Sequence, residues 1–560
     1  MITSLPIRAL LSVTLGFTGC YQVGNKEVHA STSATEVEAV QAPRPNIVFI
    51  YSDDHATAAI GTYANSVVAP FAKTPHIDSL AAQGMRFDRA FCTNGICAPA
   101  RAVVLTGKHS NLNGVLDNGS LFDGSQVTFP KLLRDAGYQT ALIGKWHLKT
   151  NPTGFDYWDI LPGQGYYYAP DFIRPAANYD ETASAEVQKA EEMVERRRVE
   201  GYVTNIVTDL GLAWLSEGRE EGKPFLLMLQ HKAPHREWMP SPSQHALYEG
   251  QTLPAPTNLL DDYKGRASGA SNQEMSIAQH MWLLYDLKIP PAYWGDGKEE
   301  HVLTGPDRWA EGRSDRMSPS EQAAWDAAYT PRNEAFRDAV VNEGLEGDAL
   351  TNWKYQRYLA DYLRCISGVD ESVGEVMAWL EENDLAENTI VVYSSDQGFF
   401  LGEHGWYDKR WMYEESLQVP LIVRWPGKVA GGRVDEHLVQ NLDFAPTFLA
   451  AAGVEIPQAM QGKSLLPILR GEELGDGEWR DSIYYRYFEV GIHAVPPHYG
   501  VRTERHKLIY YHGLDEWELF DLERDPNEMD SCFGDAEYTE IQGALEVELK
   551  RLRALYKDED

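Results

Sequence analysis

The chain has 560 residues, which is enough for a large core and for two domains or one domain with a sizeable appendage. Its composition is that of an ordinary globular protein, 43% hydrophobic and 24% charged, with a formal net charge of −33. This acidity argues against nucleic-acid binding, and it means that a site for an anionic substrate must concentrate Lys, Arg and His locally.

The first 20 residues have the pattern of an export signal. Arg8 gives a charged start, the apolar run from Ala9 to Phe17 is too short to span a bilayer, and small residues precede Cys20. This ending is similar to a bacterial lipobox, so we expect Cys20 to carry a lipid anchor in the periplasm or on the outer membrane; plain secretion is the alternative. Residues 21–43 are rich in Ser, Thr, Ala, Val and Glu, which predicts a flexible tether.

Predicted strands and helices alternate along the rest of the chain, which is typical of a doubly wound α/β fold. We expect a mostly parallel sheet flanked by helices over residues 44–455, with a polar insertion at about 251–350. Residues 456–560 predict a smaller C-terminal antiparallel sheet with a final helix. The predicted strands of the main sheet are 45–51, 86–90, 138–143, 224–230, 389–394 and 419–424, and the helices are 74–83, 127–136, 203–216, 355–382 and 443–452.

Polar clusters directly follow four of these strands, at Asp53-Asp54, Gly144 to His147, His231 to His235 and Asp396-Gln397. Sheets of this kind bind ligands beyond the carboxyl ends of their strands, so we expect the clusters to lie together. Three carboxylates gathered without a cation would repel, which predicts a hard divalent ion such as calcium or magnesium. An Asp-Asp pair by itself is more often a turn or a helix cap.

The stretch Cys97-Ala98-Pro99-Ala100-Arg101, continued by Leu105-Thr106-Gly107-Lys108-His109, is the most distinctive in the chain. Pro99 suits the first turn of a helix. Cys97 would then lie at the helix N-terminus, where free N–H groups and the macrodipole favour an anion, and Arg101 would lie one turn further on. A buried cysteine at a helix start is the ordinary alternative.

This stretch resembles the signature of the type I sulfatases of the alkaline phosphatase superfamily. In that family the cysteine is oxidised after translation to formylglycine, whose hydrated aldehyde is the nucleophile. The resemblance therefore implies a formylglycine-generating maturation enzyme as a partner. It also implies one divalent cation, calcium before magnesium, held by Asp53, Asp54, Asp396, Gln397 and an oxygen of the modified Cys97; the family more often has Asn or His where Gln397 stands.

The same resemblance assigns roles to the basic residues. Lys145 and Lys409 would bind the sulfate, Arg101 would stabilise the nucleophile, His235 would protonate the leaving alcohol and His147 would act as a base. Further candidates for substrate contact are His109, His404, His498 and Arg502, with Tyr166, Tyr167 and Tyr168 as rings that could stack on a sugar.

The run from Ser395 to Leu421 looks most like bacterial sulfatases that act on polysaccharides, including N-acetylglucosamine-6-sulfatases of mucin and glycosaminoglycan breakdown and relatives that desulfate algal polymers. We therefore expect a sulfated polysaccharide or oligosaccharide as substrate. The alternatives are a phosphoester or phosphonate hydrolase on the same fold, or a non-catalytic glycan-binding lipoprotein. Cys92, Cys365 and Cys532 permit one disulfide at most.

Overall fold

Long apolar runs bounded by polar residues form the strands of the protein. The computed structural model describes residues 44–188, 191–295 and 302–558, so the predicted signal, Cys20 and the predicted tether lie outside the described residues. The strands are β1 (Asn46–Ser52), β2 (Met85–Phe87), β3 (Ala90–Phe91), β4 (Gln139–Lys145), β5 (Tyr157–Leu161), β6 (Asp171–Pro175), β7 (Val194–Arg198), β8 (Phe225–Gln230), β9 (Thr389–Ser395), β10 (Phe400–Leu401), β11 (Tyr407–Asp408), β12 (Leu421–Arg424), β13 (Arg433–Asp435), β14 (Val439–Gln440), β15 (Ser482–Tyr487), β16 (His498–Thr503), β17 (His506–Tyr511) and β18 (Glu516–Asp521).

Ten of these strands form one large sheet in the order β13-β2-β12-β9-β1-β8-β4-β5-β6-β7. The five central strands, from β9 to β5, are parallel to one another. Strands β1, β8 and β9 are buried along their whole length, as expected for parallel strands covered on both faces. The predicted mostly parallel sheet is confirmed.

The strand predicted at 419–424 is present as β12, and it runs antiparallel to its neighbour β9. The chain between these strands forms the short β10–β11 ladder and turns back without a crossover helix that spans the sheet. A direct return of this kind pairs strands antiparallel, whereas parallel neighbours need a crossover connection. The sheet therefore becomes mixed on this side of the site.

Helices cover the large sheet in two groups that pack among themselves, α1, α6 and α11 in one and α2, α4 and α13 in the other. The predicted long helix begins earlier than expected, at Gly347. The helices are α1 (Pro75–Gln83), α2 (Cys97–Thr106), α3 (Ser110–Asn113), α4 (Phe129–Asp135), α5 (Ala185–Gln188), α6 (Val203–Ala213), α7 (Ser268–Asn272), α8 (Ile277–His280), α9 (Asp307–Ala310), α10 (Pro319–Phe336), α11 (Gly347–Glu382), α12 (Glu414–Leu417), α13 (Phe444–Ala451), α14 (Leu466–Arg470) and α15 (Thr539–Leu555).

The C-terminal strands β15 to β18 form a four-stranded antiparallel sheet, as predicted. Leucines at helical spacing on α15, Leu545, Leu549 and Leu552, pack on this sheet and close a small second core with Val501 and Leu508. Within the described ranges, no helix has both the length and the apolar character needed to cross a membrane.

Candidate active site

The four predicted polar clusters meet at one edge of the large sheet. Strands β9, β1, β8 and β4 are consecutive and parallel, so their carboxyl ends bring together Asp396, Asp53, the His231 to His235 loop and Lys145. Gly144 makes this approach feasible, because its φ is +101° and a Cβ there would lie 2.0 Å from the carbonyl oxygen of Gln230 on β8.

Cys97 is the first residue of α2, and its side chain is fully buried at this edge. Its Sγ lies 3.2 Å from Oδ1 of Asp53. Burial, with the charge of Asp53 beside it, raises the pKa of the Cys97 thiol far above its usual range. The encoded thiol is therefore uncharged at neutral pH and is a poor nucleophile.

Arg101, one turn further along α2, ties the strand ends to each other. Its guanidinium donates to Oδ2 of Asp396 at 2.9 Å, to the carbonyl oxygen of Lys145 at 3.0 Å and to Oε1 of Gln230 at 2.6 Å. It also lies over the ring of Tyr51, 5.3 Å from the centroid. Arg101 thus holds the carboxylate of Asp396 in position. It also links α2, which carries Cys97, to the carboxyl ends of three strands.

Three carboxylates form a buried cluster. Oxygens of Asp53, Asp54 and Asp396 lie within 4.8 Å of one another. Burial raises the pKa of Asp54 to about 6 and that of Asp396 to about 8, the latter with help from the charge of Asp53. Burial also opposes ionisation of Asp53, but Lys145, His235 and Arg101 together hold its pKa well below the usual range.

The cluster fits a hard divalent cation. Its donors are carboxylate oxygens, which calcium and magnesium prefer. The amide of Gln397 adds to the fit, because its Oε1 is buried without a hydrogen-bond partner while its Nε2 is directed at Asp54 and Cys97. Rotating this amide by half a turn would satisfy it by presenting an oxygen to a cation in the cluster.

Two lysines neutralise the cluster from either side. The ammonium of Lys145 contacts Asp53 and Gln164, and Nζ of Lys409 lies 2.6 Å from Oδ2 of Asp54. Together with Arg101 on Asp396, these lysines give each acid of the cluster at least one basic partner. These basic side chains therefore already balance the repulsion between the carboxylates that the sequence predicted. A cation at this cluster is indicated instead by the carboxylate oxygens and by the unpartnered Oε1 of Gln397.

The two predicted catalytic histidines also lie here. Nε2 of His235 is 3.8 Å from Oδ2 of Asp54, and burial together with Lys145 holds the pKa of His235 well below its usual range. His147 is buried in the left-handed conformation, with φ of 60°, and its Nδ1 has no hydrogen-bond partner among the described residues. Asp54 and Asp408 also have positive φ. Backbone strained in this way is found most often at functional sites.

A cavity of about 780 Å³ opens beside this cluster. It has the size of a typical small-molecule site. His235 and Lys409 line it, and both also lie against Asp54. The remaining wall includes residues that sequence reasoning missed: Gln164, Lys232, Arg236, Tyr285, Trp309, Arg313 and His493. Lys232 and Arg236 lie in or beside a recognised motif and could have been found. Gln164 follows β5, Tyr285, Trp309 and Arg313 come from the polar insertion, and His493 comes from the C-terminal region; no local pattern marks these five residues.

The histidines predicted as substrate contacts are not among the residues that line this cavity. His109 packs on Tyr556, with ring centroids 4.2 Å apart, and burial lowers its pKa to about 3. His404 is fully buried, with its Nδ1 2.6 Å from Arg266. His498 is fully buried too and donates from Nδ1 to the carbonyl oxygen of Pro496 at 2.8 Å. Each is held in packing between elements.

Arg502 and two of the predicted stacking rings also lie in contacts between elements and do not line the cavity. Arg502 forms an ion pair with Glu414 at 2.9 Å and lies over the ring of Phe91. Tyr167 and Tyr168 are each 1% exposed. Their hydroxyls donate at 2.6 Å to the carbonyl oxygens of His235 and Pro240 respectively, so they support the β8 loop from behind and offer no face to a sugar.

The other cysteines within the described ranges do not belong to this carboxylate cluster. Cys92, Cys365 and Cys532 are free thiols, so the single disulfide that the sequence permitted does not form among them.

Comparison with known proteins agrees with this geometry. Residues 45–454 match the family model described as sulfatase, and residues 402–555 match that of the C-terminal part of N-sulphoglucosamine sulphohydrolase. The chain belongs to the sulfatase family. An N-acetylglucosamine-6-O-sulfatase of Bacteroides thetaiotaomicron is 43% identical to this sulfatase over 94% of the chain and 89% of the relative.

Two further relatives extend the comparison. A solved structure of a protein in complex with its substrate D-glucosamine-2-N,6-O-disulfate is 42% identical, covers 92% of this chain and 99% of its own, and superposes with a TM-score of 0.82. A multifunctional alkaline phosphatase superfamily protein of Trinickia caryophylli is 26% identical over 84% of this chain and 88% of its own length. This sulfatase is an enzyme that hydrolyses sulfate esters.

Proposed function

We propose that this sulfatase removes the 6-O-sulfate of glucosamine units in a sulfated oligosaccharide or polysaccharide. The observation that carries the proposal is the cavity, because His235 and Lys409 in its wall both lie against Asp54 of the buried carboxylate cluster. The 43% identity to an N-acetylglucosamine-6-O-sulfatase along nearly the whole chain supports this choice of sugar and position.

Cys97 is the proposed precursor of formylglycine, installed by a maturation enzyme. The hydrated aldehyde would supply the nucleophile at the N-terminus of α2. A buried, uncharged thiol next to Asp53 suits a precursor better than a nucleophile, because its thiolate is strongly disfavoured. The site therefore depends on a modification of its own helix start.

Asp53, Asp54, Asp396 and Gln397 are the proposed holders of one divalent cation, calcium first and magnesium second. Such an ion, when bound, would neutralise charge on sulfuryl oxygens and lower the pKa of a neighbouring hydroxyl. Arg101 supports this assembly by fixing Asp396 through two N–H bonds, of 2.9 and 3.2 Å.

Lys145 and Lys409 are the proposed partners of the sulfuryl oxygens of the ester, where they would stabilise the charge that grows on these oxygens during attack. His235 is the proposed proton donor to the leaving alcohol. Burial lowers the pKa of His235 in the free enzyme. An anionic ester bound beside the ring would raise this pKa again, so substrate binding would favour the protonated form that donates to the leaving alcohol. His147, with a buried free Nδ1, is the proposed base.

The decisive test is sulfate release from a panel of singly sulfated sugars: N-acetylglucosamine 6-sulfate, N-acetylglucosamine 3-sulfate and galactose 6-sulfate. We expect hydrolysis of the first and, relative to it, turnover reduced by at least about a hundredfold for the others. Peptide mass at position 97 should show the aldehyde in active enzyme. Preference for another position or sugar would refute the proposed substrate, and activity with an entirely unmodified Cys97 would refute the proposed nucleophile.

Export and a lipid anchor on Cys20 are also proposals, supported by the N-terminal pattern alone. Expression in a bacterium followed by membrane fractionation tests them. The wild-type chain should be found with the outer membrane and the Cys20→Ala variant in the soluble exported fraction. A wild-type protein without lipid would refute the anchor.

A further inference from the structure

Lys232, in the loop that follows β8, is a buried cation that forms no ion pair with any described acidic residue. Its side chain lines the active-site cavity and the residue is only 2% exposed. Its ammonium lies 3.4 Å from the carbonyl oxygen of Arg236 and 4.7 Å from the centroid of the Tyr167 ring. Among the described residues, no carboxylate oxygen lies within 4 Å of this nitrogen.

The other basic residues that line the cavity are paired within the chain. Their partners are Asp286 for Arg236, Glu237 for Arg313, Asp54 for Lys409 and Asp408 for Arg410. Lys232 therefore differs from these four basic residues of the cavity wall, each of which forms an ion pair with a carboxylate.

An unpaired ammonium is costly to bury. The acid that most influences Lys232 electrostatically is Glu237, but that carboxylate contacts the guanidinium of Arg313. Lys145 and Arg313 oppose the charge of Lys232, and Asp53 favours it more weakly. Burial lowers the pKa of Lys232 to about 8, so the side chain is still mostly protonated at neutral pH. Among the described residues, the ammonium of Lys232 thus has no carboxylate in contact with it, and Glu237 stabilises its charge only from a distance.

We propose that Lys232 binds a second anionic group of the substrate, a sulfamate on the same amino sugar that carries the reacting ester. This inference rests on the proposed function and adds a determinant of specificity to it. Lys145 and Lys409 already flank the nucleophile and serve the ester sulfate. A sulfamate would satisfy the ammonium of Lys232, whereas a neutral N-acetyl group would leave it unpaired.

The test compares the N-sulfo and N-acetyl forms of glucosamine 6-sulfate as substrates. We expect the wild-type enzyme to favour the N-sulfo form in kcat/KM by about tenfold or more, the range of a hydrogen bond between charged groups. Lys232→Met should bring this ratio close to one by raising KM for the N-sulfo form, with kcat nearly unchanged. Lys354→Met is the matched control, because Lys354 is also a buried lysine that donates to a carbonyl oxygen, that of Ala278, but it does not line the cavity.

Binding in the absence of turnover gives a second readout. In a Cys97→Ser background, calorimetric affinity for the N-sulfo 6-sulfate should fall about tenfold on adding Lys232→Met, while affinity for the N-acetyl 6-sulfate should stay within twofold. Equal losses for both ligands would make Lys232 a structural support and overturn the inference.

The wild-type ratio is a test that needs no variant, and it remains available if Lys232→Met does not fold. Hydrolysis of the N-acetyl ester as fast as the N-sulfo ester refutes the role of Lys232 and leaves the proposed function intact. Failure to hydrolyse either 6-sulfate refutes the proposed function itself.

Discussion

Replacing Lys232 by Met should make the free enzyme more stable at neutral pH while it impairs recognition of a doubly charged substrate. Burial lowers the pKa of Lys232 from 10.5 to about 8. A pKa lowered by this much means that burying the charged Lys232 reduces the free energy of unfolding of the wild-type protein by about 3 kcal/mol at pH below 8. Removing the ammonium also forfeits its contact with the Arg236 carbonyl and the Tyr167 ring, worth about 1–2 kcal/mol together. The expected net gain in unfolding free energy at pH 7 is therefore about 1–2 kcal/mol.

The gain should depend on pH in a defined direction. Between pH 8 and 10.5 the unfolded chain binds a proton at Lys232 that the folded chain has released, so the wild-type protein recovers stability as pH rises through this window. Thermal unfolding of the wild type, Lys232→Met and Lys354→Met at pH 7 and pH 10 would measure it. For a chain of this length 1 kcal/mol shifts the midpoint by about 1 °C. A Lys232→Met variant that melts lower than the wild type at pH 7, or a difference that does not change with pH, would refute the reasoning.

Three further predictions concern the rest of the site. Cys97→Ala should abolish sulfate release at retained secondary structure, measured by ion chromatography and circular dichroism; residual turnover at wild-type level would exclude Cys97 as the source of the nucleophile. Dialysis against a chelator should lower kcat by at least about a hundredfold, with recovery on adding calcium or magnesium, and unchanged activity in a metal-free sample by mass spectrometry would contradict the assignment of Asp53, Asp54 and Asp396. His404→Ala should reduce the unfolding free energy by about 2–4 kcal/mol, because it opens a cavity among buried charges and rings, while KM stays within twofold; a KM raised tenfold would return His404 to the substrate site.

The sequence predicts the strand ends well because each carries a local signal. A buried parallel strand reads as a continuous apolar run, and the first polar residues after it mark its carboxyl end. Asp53, Lys145, His235 and Asp396 follow four such runs, and the four strands prove to be neighbours. The helix start at Cys97 was predictable for the same kind of reason, since Pro99 fits only its first turn.

The direction in which a polar side chain faces has no such local signal. His404 lies close in sequence to Lys409, yet its ring is packed against Trp406 and Tyr413, and Arg266 from the insertion lies against its Nδ1. His498 and Arg502 stand on a strand of the C-terminal sheet, where alternate residues face its two sides, and both turn to packing partners. Such contacts between distant segments decide the role of a residue, and a linear pattern does not contain them.

The wall of the cavity illustrates the same limit. Tyr285, Trp309 and Arg313 come from a polar insertion whose helical patches do not tell where it packs, and His493 comes from beyond the main sheet. A long insertion of this kind in a compact enzyme is often functional, which is the one general reason to expect it at the site.

The ion pairs of the carboxylate cluster change the reason for expecting a metal ion there. Three acids from separate strands would repel if they met alone, but Asp53 meets Lys145, Asp54 meets Lys409 and Asp396 meets Arg101. The chain can therefore bury the cluster without help, so repulsion does not by itself require a cation. Among the described residues, Oε1 of Gln397 is a ligand-type oxygen beside the cluster that is buried without a hydrogen-bond partner. Gln397→Leu should accordingly be tolerated by the fold yet weaken calcium binding measured by calorimetry, whereas an unchanged calcium affinity would remove Gln397 from the ligand set.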